Sequence, residues 1–167
     1  IFTWNYDGTK PTIQIFSTDL NSGTVSNSSY ISITFTSSEE IINFTEDDIN
    51  KLNCTIDKLV TSDNKNFTCN AYPIEDSDCA INVPEGTFED AVGNINNESS
   101  NIFTWTYDSN GPSGIITSSN VLNNTITNAN EVYITFSLSE KSNDFTKDIV
   151  QLENCVLKLD SFIYSSE

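Results

Sequence analysis

Apolar and polar side chains alternate in short runs along the first 107 residues. The clearest run is Tyr30-Ile31-Ser32-Ile33-Thr34-Phe35, which puts Ile31, Ile33 and Phe35 on one face. A period of two is the mark of a half-buried strand. The same pattern makes residues 12–16 a first strand and 30–35 a second. Residues 52–56, 66–71 and 79–83 follow as a third, fourth and fifth, and 101–107 as the last. Residues 44–49 break the alternation. Thr45 stands there before Glu46, Asp47 and Asp48, the order of a capped helical turn. Pro84-Glu85-Gly86 ends the fifth strand, and residues 89–94 read as a turn-rich loop. Short strands separated by turns at this spacing predict an all-β, two-sheet sandwich.

The pattern then starts again. Ile1-Phe2-Thr3-Trp4-Asn5-Tyr6-Asp7 returns as Ile102-Phe103-Thr104-Trp105-Thr106-Tyr107-Asp108, an offset of 101 residues. Pro11 meets Pro112, Ile33-Thr34-Phe35 meets Ile134-Thr135-Phe136, and Ser38-Glu39 meets Ser139-Glu140. Phe44-Thr45 meets Phe145-Thr146, Asp47 meets Asp148, and Cys54 meets Cys155. About 20 of the first 54 positions are identical to their counterparts. A period of this size is a domain rather than a short solenoid unit. We therefore expect residues 1–9 to be the end of a preceding repeat and a linker. Residues 10–108 are the first repeat, and 109–167 a second, incomplete one. The chain reads as a window of a longer array. The linker Asp108-Ser109-Asn110-Gly111-Pro112 is short, which predicts beads set end to end with limited swivel.

Charge narrows the choice of partner. Seven basic residues face 24 acidic ones, with no His and a net charge of −17. Nucleic acid needs a Lys/Arg footprint, so we expect no nucleic-acid partner. No apolar run approaches the roughly 18 residues that a membrane span needs, so no membrane insertion is expected in this segment. Catalysis has little to work with. There is no His to act as a base, no GxSxG and no Gly-rich phosphate loop, and adjacent acids such as Asp47-Asp48 tend to point apart. We expect no enzyme and no required cofactor. The aromatic residues Trp4 and Trp105, with Tyr6 and Tyr107, recur between repeats. They are read as rings that cap the core or pack between beads, in preference to a sugar-binding stripe.

Two stretches carry a resemblance. The first runs Tyr6-Asp7, Pro11-Thr12, Ile33-Thr34-Phe35, Ser38-Glu39 and Phe44-Thr45-Glu46-Asp47-Asp48-Ile49. The second is Val83-Pro84-Glu85-Gly86-Thr87-Phe88-Glu89-Asp90-Ala91-Val92-Gly93-Asn94. Together they resemble bacterial-type Ig-like repeats of large surface adhesins and of secreted repeat proteins from protists. The resemblance covers the first repeat and as much of the second as is present. It implies tandem immunoglobulin-like β-sandwiches and a role in adhesion or extracellular architecture. The several Cys and many glycosylation acceptors depart from the usual bacterial pattern and point to a eukaryotic microbe.

Three sets of side chains are candidates for chemistry. In such a sandwich the loop after the second strand, the loop before the last strand and the incoming linker share one end. Asp7, Glu39, Asp90 and Asn94 would then converge there, with Asp108 and Glu140 in the same parts for the second repeat. Oxygen ligands so grouped suit calcium. The plainer alternative is that Asp, Asn and Gly are turn formers. Six N-x-[ST] acceptors occur, at Asn27, Asn43, Asn53, Asn66, Asn97 and Asn123. Composition alone supplies about five, so placement matters more than number. Asn27, Asn97 and Asn123 sit in turns, whereas Asn43 and Asn66 precede a Phe that points inward and so face outward. N-linked glycans are expected if the chain takes a eukaryotic secretory route.

The four Cys are read as disulfide residues of an oxidising compartment, because no CxxC and no His completes a zinc site. Two pairings are open. Cys54 joins Cys69 if residues 52, 54 and 56 lie opposite 71, 69 and 67, and Cys69 joins Cys79 if Phe67 lies opposite Ile81. The second is preferred. It leaves Cys54 and its repeat Cys155 for bridges between chains, against the alternative of a free buried thiol. The expected protein is an extracellular or cell-surface structural bead, partnered by copies of itself in tandem and laterally in a fibre. The rival is a carbohydrate- or receptor-binding adhesin domain.

Overall fold

A computed structural model describes residues 1–158. The chain divides into two compact units, Ile1–Asn110 and Gly111–Glu167. Residues 1–10 form no strand. The first unit then lays down β1 (Ile13–Ser17), β2 (Thr24–Ser26), β3 (Ile31–Ser37), β4 (Ile41–Ile42), β5 (Asn50–Leu52) and β6 (Cys54–Ile56). It continues with β7 (Val60–Thr61), β8 (Asn66–Pro73), β9 (Ser77–Asn82), β10 (Glu89–Asp90) and β11 (Phe103–Tyr107).

These strands form an all-β sandwich, as the alternation predicts. One sheet runs β1-β3-β8-β6, with β7 also on β8; the other runs β2-β11-β9-β5. Pairing is antiparallel except between β2 and β11, where Trp105 lies beside Thr24 in a parallel match. The inward faces are those the period of two marks out. Ile31, Ile33 and Phe35 of β3 are buried, as are Phe67, Cys69 and Ala71 of β8. Cys79 and Ile81 of β9 and Phe103 and Trp105 of β11 face them from the second sheet. Phe44 sits at one end of this core, with ring centroids 5.7 Å from Phe35, 5.1 Å from Phe67 and 5.7 Å from Phe88. Asn101 ties its segment to the first sheet: its side chain accepts from Ile15 N at 2.7 Å and donates to Ile15 O at 2.8 Å.

Some elements differ from the expectation. The third strand, read as continuous over 52–56, is two strands in different sheets, β5 and β6. Asn53 between them has φ 53°, a left-handed conformation that turns the chain out of one sheet and into the other. The helical turn shrinks to a 3-10 turn, Glu46–Asp48, with Thr45 N donating to Asp48 Oδ2 at 2.7 Å. The loop at 89–94 contains β10. The strand β2 has no alternation to announce it. Trp4 and Trp105, equivalent in sequence, sit in opposite surroundings: Trp4 is 71% exposed and Trp105 1%.

The second unit holds β12 (Gly114–Ser118), β13 (Ile134–Leu138) and a 3-10 turn, Lys147–Ile149. The repeat is exact in register here. Ile15 pairs with Phe35 in the first unit and Ile116 with Phe136 in the second, each shifted by the same 101 residues. Ile116, Phe136, Phe145 and Val150 line an open apolar groove at positions whose first-unit counterparts Ile15, Phe35, Phe44 and Ile49 are buried.

Candidate metal centre

Three carboxylates meet at one end of the first sandwich, and pairing of short strands brings them there. Ile41 lies opposite Asp90, and Ile42 opposite Glu89. Glu39 precedes Ile41 by two residues, so this ribbon delivers its side chain to Asp90. Asp7 comes from the segment before β1. That segment is held by Thr12 N donating to Ser38 Oγ at 3.0 Å and Ser38 N donating to Thr12 O at 2.9 Å. Asn94 Nδ2 also reaches Asp7 O at 3.3 Å. One oxygen from each of Asp7, Glu39 and Asp90 lies within 4.8 Å of the other two.

The electrostatics of the three differ. Asp90 is only 3% exposed. Burial opposes its ionisation, but bonds from Asn94, Val92 and Gly93 outweigh this and hold its carboxyl below the usual range. Its Oδ1 accepts from Val92 N at 2.9 Å and Asn94 N at 2.8 Å, and its Oδ2 from Asn94 Nδ2 at 2.8 Å. Glu39 moves the other way. Burial raises its pKa, and the charges of Asp7 and Asp90 raise it further against the pull of Lys65. Its Oε1 is buried with no hydrogen-bond partner. Asp7 Oδ1 accepts from Thr9 N at 2.9 Å.

This donor set consists of oxygen alone. It fits a hard divalent cation of calcium type, which takes six to eight oxygens from carboxylates, main-chain carbonyls and amide side chains. It offers nothing to a thiolate- or imidazole-seeking metal. Asp90 and Asn94 also make the turn that the plainer alternative describes, so they hold their loop whether or not an ion is bound. Asp108 belongs to the first unit, where its Oδ1 accepts from Asn110 N at 3.1 Å, and Glu140 is exposed in the second. The Thr12–Ser38 clamp was not anticipated, although Ser38 recurs as Ser139. In the second unit Ser113 N donates to Ser139 Oγ at 2.9 Å and Ser139 N to Ser113 O at 2.9 Å.

The other candidates spread over the surface and the core. Asn27, Asn97 and Asn123 are exposed. Asn43 is exposed and donates to Glu89 Oε1 at 3.0 Å. Asn66 is exposed and donates to Asp63 Oδ2 at 2.8 Å. Asn53 is half-buried, and its amide donates to Asp78 O at 2.8 Å. No S–S bond joins any of the four Cys in this structure: Cys54, Cys69 and Cys79 are buried, and Cys155 is exposed. Neither register behind the expected pairings is found. Phe67 lies opposite Phe35, Ile81 opposite Phe103, and Cys54 opposite Pro73. The strands β8 and β9 belong to different sheets. Cys54, 5% exposed, is turned into the core and away from any second chain while the bead is folded.

Residues 7–107 match a family described as a bacterial Ig-like domain. No curated protein matches the chain. No solved structure matches it either.

Proposed function

The chain belongs to the bacterial Ig-like domain family, and from that premise we propose that it is a structural bead of an extracellular repeat protein that builds a fibre, filament or stalk. Domains of this family are often found in extracellular or surface proteins, and the fold is typically non-enzymatic. One observation carries the reading. The second unit repeats the first in register and in its hydrogen-bonded clamp, with Thr12–Ser38 becoming Ser113–Ser139. A binding module needs one good site, whereas a spacer repeats the same bead. The acidic surface keeps neighbouring beads apart and soluble. Asp7, Glu39 and Asp90 are then a calcium site that fixes the incoming linker against its bead.

Electron microscopy of the native material tests the proposal. Filaments or stalks with a bead-scale period support it. Isolated molecules that attach to cells or glycans through a distinct terminal domain would replace it with an adhesin.

A further inference from the structure

We propose that Cys54 and Cys79 form a disulfide that locks the corner where the chain passes from one sheet to the other. The pairing follows from the register of β5 and β9. Asn50 lies opposite Asn82, Lys51 opposite Ile81 and Leu52 opposite Ala80. Just beyond the last pair, Asn53 stays beside the residues next to Cys79: its side-chain amide donates to Asp78 O at 2.8 Å. Cys54 is the next residue, with its side chain turned into the core. The sulfurs confirm the approach reciprocally. Cys79 Sγ is 3.5 Å from the carbonyl oxygen of Asn53, the neighbour of Cys54. Cys54 Sγ is 3.9 Å from that of Ala80, the neighbour of Cys79. Each sulfur thus rests on the backbone beside the other Cys.

The other pairings fit less well. Cys54 lies opposite Pro73, four residues along β8 from Cys69. At about 3.3 Å per residue that is roughly 13 Å, about twice the Cα separation a disulfide spans. Cys69 stands on β8 and Cys79 on β9, which lie in different sheets and share no ladder.

The step is a thiol–disulfide exchange with a low-molecular-weight disulfide as oxidant. One Cys thiolate attacks a sulfur of the reagent, forming a mixed disulfide and releasing one reagent thiolate. The second Cys thiolate attacks the protein-bound sulfur and releases the other. Two electrons pass to the reagent, and the two thiol protons end on its released thiolates. Burial raises the pKa of the Cys54 thiol to about 11, with the nearby Cys79 adding to it, and burial raises that of Cys79 as well. Few thiolates therefore form in the closed bead, and exchange takes place as the corner closes during folding. The bridge would join the first residue of β6 to β9, across β7 and β8, and so constrain the unfolded chain.

The test uses the full chain. The folded, reduced protein is first capped at exposed Cys155 with iodoacetamide, then unfolded, refolded with oxidised glutathione and digested without reductant. Trypsin and a Glu-specific protease cut between all three remaining Cys. We expect one linked pair carrying Cys54 and Cys79, with Cys69 recovered as a free thiol. C69S should keep an oxidant-dependent rise in Tm that C54S and C79S both lack. A linkage through Cys69, or three free thiols after refolding in oxidant, overturns the proposal.

Discussion

Asn53 donates its side-chain amide to the main-chain oxygen of Asp78 at 2.8 Å, at the one residue by which the chain leaves β5 and enters β6. Its own carbonyl accepts from Ile74 N at 3.0 Å. The left-handed backbone at φ 53° favours Asn over most residues, because a short amide bonds locally. Asn53→Ala loses the bond and keeps the strained backbone, so we expect a loss of about 1–3 kcal/mol. Asn53→Gly loses the bond but relaxes the backbone, and should fall between the two. Urea denaturation of the three proteins gives the order. If Gly is no better than Ala, the left-handed conformation is not what Asn53 supplies.

The same side chain bears on glycosylation. A glycan on Asn53 would replace one hydrogen of the amide nitrogen that donates to Asp78 O and would force a sugar into that half-buried corner. Asn27, Asn97 and Asn123 are exposed, in segments with room for a sugar. Expressed through a eukaryotic secretory route, the chain should carry glycans at these three and none at Asn53. Peptide mapping of the secreted protein checks this. Occupancy of Asn53 in folded material would contradict the role given to its amide.

The face of each long strand was legible because one residue in two is apolar. Ile31-Ser32-Ile33-Thr34-Phe35 leaves no other reading. The split at Asn53 was not legible. Leu52-Asn53-Cys54-Thr55-Ile56 looks like one alternating strand, and only the neighbouring sheets decide that it is shared between them. The convergence of Asp7, Glu39 and Asp90 was readable from strand direction alone. The ribbon of β4 and β10 that sets their spacing was not, since two-residue strands have no periodicity. The register behind the preferred thiol pairing was not legible for a related reason: consecutive β8 and β9 do not pair but face each other from different sheets.

Phe44 lies outside any strand yet touches three rings edge-on, those of Phe35, Phe67 and Phe88. It plugs the end of the core above the 3-10 turn. Phe44→Ala should cost about 3–5 kcal/mol, through lost transfer energy and the cavity left behind. Phe44→Leu should cost less than half of that. Thermal unfolding of the two variants checks the ratio, and near-equal losses would place Phe44 outside the packed core.

Asp63 gives the bead a pH signature. Its Oδ1 accepts from Asn66 N at 2.7 Å and Lys65 N at 3.0 Å, and its Oδ2 from Asn66 Nδ2 at 2.8 Å. Those bonds, the Asn66 backbone first, lower its pKa to about 2. In the unfolded chain an Asp titrates near about 3.9. The folded state therefore holds fewer protons than the unfolded one between these values. Its contribution is full above about pH 4 and is lost as the pH falls towards 2. The stability difference between wild type and Asp63→Asn should shrink across that window. A difference that stays constant from pH 5 to pH 2 would show that Asp63 does not titrate differently on folding.

Glu39 offers a prediction whose sign reverses with calcium. Without an ion, its carboxylate is pushed into a partly buried site beside Asp7 and Asp90, and Oε1 has no hydrogen-bond partner. Glu39→Gln removes one of three like charges, so the calcium-free variant should be as stable as wild type or more stable. With calcium the order inverts, because the wild type keeps the full carboxylate set that the ion requires. An ion bound only to the folded state adds RT ln(1 + [Ca]/Kd), about 2.7 kcal/mol at a hundredfold excess over Kd. The wild type should gain Tm on adding calcium and lose it to a chelator, while Glu39→Gln gains little. Asp90→Asn is a weaker test, since Asp90 also builds the turn through Val92 and Asn94 and should lose stability in both conditions. Two melting curves for each protein, with calcium and with chelator, decide the matter. If the wild type melts at the same temperature in both, the three carboxylates form no calcium site.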